Sequence, residues 1–253
     1  MKTSTESTKN SYGLFSLVDS LICELSGFNI QIKTLGDKKY SYLRTSNGVI
    51  NISKIFTSKA SKIKIEIAPI LPQNLPDKIT EYIMLKFNEI LQIEKQSNTK
   101  FDVLHPIEIG VFVVSDEENR SLIECFSLDP LLSRYGMYGS PDDGILCKCF
   151  RTALDGKKQQ TQFSNSKISI TFQNDTNSDI LISKIAFLST NHDIFYNSTD
   201  TVTDGIICIV KETLGNVFAQ INSQNIESSS EFTKSPTITQ KTSEQFTMDK
   251  GFM

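Results

Sequence analysis

The chain has 253 residues, 38% of them hydrophobic and 22% charged, with 26 basic against 29 acidic side chains and a formal charge of −3. That apolar share is too high for wholesale disorder. The near-balanced charge argues against a general nucleic-acid footprint, and with no run of about 18 apolar residues no membrane span is expected either.

The start, MKTSTESTKNS, is polar where a secretory signal needs an apolar core of about 7–15 residues. A frayed segment over residues 1–11 and a cytoplasmic location are therefore expected. From there the chain reads mostly in period two. Phe28, Ile30 and Ile32 alternate with Asn29 and Gln31. Leu35-Gly36-Asp37-Lys38 marks a turn, and Ser46-Asn47-Gly48 is a strong hairpin signal because Asn-Gly accepts positive φ at low cost. Ile63, Ile65 and Ile67 form the next stripe. Between Ile79 and Leu91 two readings compete. Residues Ile79, Tyr82, Ile83, Phe87, Ile90 and Leu91 fit an amphipathic helix, which the pattern slightly favours. Ile83, Leu85 and Phe87 fit one face of a strand.

Ile107, Ile109, Val111 and Val113 give another alternating stripe. Ser140-Pro141-Asp142-Asp143 fits a type I turn, with Gly144 expected in the left-handed conformation that closes it. From Ile145 the side chains alternate again, with Cys147 and Cys149 on one face. Residues 155–166 are polar apart from Phe163 and read as a connection. Ile168, Ile170 and Phe172 follow. Asn174 to Asp179 and Thr203-Asp204-Gly205 mark two further turns. After Ile221 the apolar stripe ends, and the Ser/Thr-rich stretch 222–253 is expected to be a disordered tail.

Short alternating strands between frequent turns define the expected fold class: all-β, an antiparallel β-sandwich. Two packed β regions are expected, over residues 12–154 and 167–221. The second is too small to bury a comfortable core alone, so it should pack on the first or share a sheet with it.

Three segments also carry a resemblance. Leu75-Pro76-Asp77-Lys78-Ile79, Pro106-Ile107-Glu108-Ile109-Gly110-Val111-Phe112 and Tyr135-Gly136-Met137-Tyr138-Gly139-Ser140-Pro141 with Gly144 occur in this order. Together they resemble the archaeal family catalogued as domain of unknown function 432, over roughly Tyr12 to Val210. The resemblance implies one architectural unit spanning both halves and an archaeal source. It supplies no activity and no catalytic residues. It also implies a strand for the segment around Tyr82 to Ile93.

The residues that can carry function gather near the turn. Arg134 and Arg151 flank Tyr135, Tyr138, Asp142 and Asp143, and arginine beside exposed aromatics suits an anion, a sugar or a protein partner. The ordinary alternative has the tyrosines covering a core edge while the arginines pair with Asp142 and Asp143. Cys147 and Cys149, with His105 or Cys125, could hold Zn²⁺ or Cu⁺, but five free buried thiols, Cys23 and Cys208 included, are the default in a chain without an export signal. Asp142 and Asp143 with Asp129 and Glu124 could form a carboxylate cluster, although Asp is also favoured in turns. With His105 and His192 the only histidines, and no Gly-x-Ser-x-Gly elbow, no assembled nucleophilic site is read. Neither a Walker loop nor Gly-x-Gly-x-x-Gly occurs, so no cofactor is expected. The leading expectation is a non-catalytic module that binds a protein partner. The alternatives are a metal-dependent hydrolase, or a small-molecule or sugar-binding sandwich lined by Tyr42, Tyr135 or Tyr138.

Overall fold

A computed structural model describes residues 8–60, 62–76, 78–116, 119–129, 134–140, 142–154, 162–226 and 231–238. Its strands form four sheets, and the one helical element among the described residues is a 3₁₀ turn over Ser189–Asn191. Sheet I runs β1 (Thr8–Lys9), β3 (Ser20–Leu25), β4 (Phe28–Gly36), β5 (Lys39–Ser46), β6 (Val49–Thr57). Sheet II runs β11 (Asn119–Phe126), β10 (Glu108–Asp116), β7 (Lys64–Ile70), β2 (Gly13–Ser16). Sheet III runs β12 (Arg134–Tyr138), β13 (Ile145–Thr152), β8 (Tyr82–Ile93), β15 (Ile180–Leu188). Sheet IV runs β19 (Thr233–Lys234), β16 (Ile194–Tyr196), β17 (Thr201–Thr213), β14 (Asn165–Asn174), β9 (Ser97–Pro106), with β18 (Asn216–Gln224) also paired to β17.

The all-β reading holds. Most pairs are antiparallel, while β1–β3, β8–β13 and β14–β17 are parallel. Two cores result. Sheets I and II enclose Leu25, Ile30, Ile32, Ile65, Ile67 and Ile109, and sheets III and IV enclose Ile83, Leu85, Phe150, Ile170, Phe172 and Phe187. Each fully buried side chain of this size contributes about 1.5–3 kcal/mol. Sheet II is a middle layer. In β7, Ile65, Glu66, Ile67, Ala68 and Ile70 are all buried, so both faces are covered. That explains why 107–114 reads as a nearly continuous apolar run rather than a clean alternation.

Several expectations are corrected. The region after 155–166 shares sheets with the one before it, one of the two arrangements expected, but the second core draws strands from both sides of that connection, since β8 and β9 pair with β15 and β14. Within that connection, residues 155–161 lie outside the described residues and β14 already starts at Asn165. The helix favoured by pattern over 79–91 is a strand, β8. A register shift against Ile182/Lys184 places Phe87 and Leu91 inward with Asn88, Glu89 and Ile90 exposed between them, and that four-residue spacing imitates a helical face. Thr203-Asp204-Gly205 is a bulge inside β17 rather than a turn, stabilised by the Asp204 carboxylate accepting the Asp193 and Ile226 N–H groups at 2.8 and 2.9 Å.

At the start, Thr8–Lys9 pairs with Ile22–Cys23 where fraying was expected, because the free edge of β3 offers a partner. Within the expected tail, residues 222–224 complete β18, and Thr233–Lys234 pairs with β16. Ser235 then bonds the Pro69 carbonyl, and Ile238 packs on the first core. The rest of that segment, 227–230 and 239–253, lies outside the described residues.

Turn chemistry follows the sequence where it is local. Asn47 and Gly48 take φ of 49° and 77°, the left-handed pair of a tight hairpin. Gly144 differs from expectation: its φ is not left-handed, and Gly139 carries the positive φ of 107° instead. Gly144 is required because a Cβ there would lie 2.3 Å from the Ser140 carbonyl oxygen.

Candidate functional site

The three stretches that carry the family resemblance converge on one buried ion pair. Glu108 on β10 and Lys148 on β13 are each 2% exposed and 3.0 Å apart. The Glu108 carboxylate also accepts the backbone N–H of Asn74 and Leu75 and the Asn74 side-chain amide, at 2.9–3.2 Å. Lys148 donates to the Leu75 carbonyl at 2.6 Å. Cys125 lies against Glu108 at 3.3 Å, and burial together with that carboxylate pushes its thiol far up. Tyr135 sits opposite Lys148 in register. This cluster joins sheet II to sheet III. The Glu108–Lys148 pair at its centre is solvent-excluded, and both groups are used up in bonding their neighbours.

The face of sheet III turned away from the core has a different character. Arg151 pairs in register with Lys86, and Lys86 with Lys184, so three exposed cations stand side by side across β13, β8 and β15. Arg134 is opposite Cys149, two residues before Arg151 on the same face, and is also exposed. Beside the basic row lies an apolar one: Ala186, Met84 and Cys149. Gly136 leaves space for it, since a Cβ there would meet the Cys149 sulfur at 3.0 Å and the Met84 methyl at 3.7 Å. Tyr138 is half-buried, with the Lys184 ammonium 5.3 Å from its ring centroid.

Of the residues expected near the turn, Arg134, Tyr138 and Arg151 therefore belong to the sheet III display, and Tyr135 faces the buried pair instead. Asp142 and Asp143 are exposed in the turn, where the Asp143 N–H donates to Ser140 Oγ at 3.1 Å. Among the described residues no ion pair joins Arg134 or Arg151 to either aspartate, so the pairing weighed from sequence is not formed. Glu124, weighed with them, is in the first core, where it accepts from Tyr42 at 2.5 Å and from Arg44 at 2.7 Å. Tyr42 is fully buried there and presents no face to a sugar.

The thiols and imidazoles do not converge. Among the described residues no three His, Cys, Asp or Glu side chains gather as a metal site. Burial pushes the Cys147 thiol up to about 11 and raises that of Cys149, so both stay protonated at neutral pH, the form that is a poor nucleophile and a poor ligand. His105 is fully buried. Its Nδ1–H donates to the Pro106 carbonyl at 2.9 Å and its Nε2 accepts from the Thr203 hydroxyl at 2.7 Å. Ser166 in turn donates to Thr203 at 2.7 Å. The relay has a hydroxyl beside a base, yet all three residues are at most 1% exposed, which closes it to substrate.

Sequence reasoning missed Lys86 and Lys184. Nothing local marks them, because their juxtaposition with Arg151 depends on a parallel register between segments some sixty residues apart. Fold and site thus define a class: a double β-sandwich welded through a shared middle sheet and displaying an amphipathic basic face. The chain belongs to the family described as Protein of unknown function (DUF432), whose model matches residues 11–251. No curated protein and no solved structure matches it.

Proposed function

We propose that this protein is a non-catalytic binding module whose partner is a protein presenting an acidic segment to the outer face of sheet III. The observation that carries the reading is the row Arg151–Lys86–Lys184. Like charges directly opposite one another destabilise a sheet, so the row works against folding. A partner's carboxylates would relieve it. The partly exposed Ala186 and Cys149, which flank the buried Met84, and the half-buried Tyr138 supply apolar contact beside the charges, the mixture that recognition surfaces use.

The test is binding of labelled polyglutamate, followed by fluorescence anisotropy across a salt series. Saturable binding that weakens with salt and is abolished in a Lys86→Glu/Arg151→Glu variant supports the reading. Absence of binding, or binding indifferent to the charge reversal, refutes it. Tighter binding of single-stranded RNA than of polyglutamate would assign the face to nucleic acid instead.

A further inference from the structure

A second site lies away from the basic face, where the two sandwiches meet. A cavity of about 160 Å³ opens between the end of β7, the loop after it, the 3₁₀ turn and the C-terminal segment that returns after β19. Its polar lining includes Gln73, Lys78, Thr190, His192, Asp193 and Thr237. Its charged groups are one ammonium and one carboxylate. Each also has an ion-pair partner outside the lining, Lys78 with Glu81 at 3.4 Å and Asp193 with Lys234 at 2.6 Å.

His192 provides the independent sign of a missing partner. It is 6% exposed and its ring packs edge-on against Phe187 at 4.9 Å. Its Nδ1 is the one buried side-chain nitrogen or oxygen among the described residues with no hydrogen-bond partner. With the proton of the neutral ring on Nε2, Nδ1 is an acceptor without a donor. Buried acceptors are rarely left unsatisfied.

We infer that this cavity binds a small zwitterion of the α-amino-acid class, its carboxylate toward Lys78 and its ammonium toward Asp193 and His192. A simple anion would face Asp193 and a simple cation would face Lys78, whereas a ligand carrying both charges meets an opposite charge at each wall. Size points the same way, since a cavity near 150 Å³ accommodates about six non-hydrogen atoms, the size of alanine. The ammonium supplies the N–H that Nδ1 lacks.

The experiment is isothermal titration of the intact protein with alanine and glycine, beside acetate, methylammonium and inorganic phosphate. Both zwitterions should bind, at least about tenfold more tightly than either half-ligand, which is about 1.4 kcal/mol. The His192 imidazole ¹⁵N signals should shift on binding. A Lys78→Met variant should lose binding with its melting temperature kept, and His192→Phe, which preserves the ring contact with Phe187, should lose it too. The Lys86→Glu variant should bind alanine normally, which separates this site from the basic face. Absence of zwitterion binding, equal affinity for acetate or phosphate, or unchanged binding by Lys78→Met would overturn the inference.

Discussion

Lys86→Glu should make the protein more stable and, at the same time, unable to bind an acidic partner. Neighbouring strands lie about 4.8 Å apart, so Lys86 meets Arg151 on one side and Lys184 on the other with Cβ atoms at about that spacing. Each cross-strand charge pair contributes roughly 0.2–1 kcal/mol, unfavourable when the signs match. The substitution turns two repulsive pairs into two attractive ones. All three side chains are exposed, and screening keeps each pair at the low end, so the net gain is about 1 kcal/mol. For a chain of this size that is a rise of about 2–4 °C in melting temperature. Calorimetry of wild type and variant at low salt should show the rise. At about 1 M salt, where the Debye length shrinks to about 3 Å, the difference should vanish. A destabilised variant, or a gain that survives high salt, would show that the three cations do not confront one another as described.

Other positions test the frame around the site. Lys148→Met should cost about 3–5 kcal/mol in urea unfolding, because it strands the buried Glu108 carboxylate, and a Glu108→Gln/Lys148→Met double variant should recover part of that loss. Gly110→Ala should cost about 1–3 kcal/mol by the same assay, since a Cβ there would lie 2.5 Å from the Phe112 ring. Burial holds the His105 pKa at about 4, below its usual 6.5. The unfolded chain therefore protonates first, and this residue's contribution is full above pH 6.5 and lost as pH falls toward 4. The loss is on the order of 3 kcal/mol and should be absent from the acid limb of a His105→Asn variant.

Period-two patterning made the strands legible because one buried face leaves its mark on every second residue. It failed where a second constraint acted on the same residues. In β8 the extra residues opposite Ile182/Lys184 move Leu91 four positions from Phe87, and the local pattern then mimics a helix. In β17 the buried Asp204 marks a bulge with turn-like residues. The division into cores was illegible for a different reason: β9 and β8 choose partners 59–77 and 87–106 residues downstream, a pairing no local signal encodes. The candidate site was legible in part. Arg134, Tyr138 and Arg151 drew notice because they flank a Gly-rich turn, while Lys86 and Lys184 sit in strand interiors and become neighbours only through register.

The carboxylates of sheet II show how that register is kept. Glu66, Glu108 and Glu124 are 2%, 2% and 7% exposed, and each reaches a different sheet. Glu124 bonds Tyr42 and Arg44 on sheet I, Glu108 bonds Lys148 on sheet III, and Glu66 accepts from Tyr196 on sheet IV at 3.0 Å as well as from Arg120. Apolar contact is non-directional, so two greasy faces can slide over one another at little cost. A buried carboxylate cannot slide, because a shift of one residue leaves it without its donors at a penalty of several kcal/mol. Three such keys on the middle sheet fix where the other three must sit. The Glu108–Lys148 key matters most for the display face, since Lys148 lies on β13 three residues before Arg151. Holding Lys148 to sheet II holds β13 in the parallel register that sets Arg151 beside Lys86.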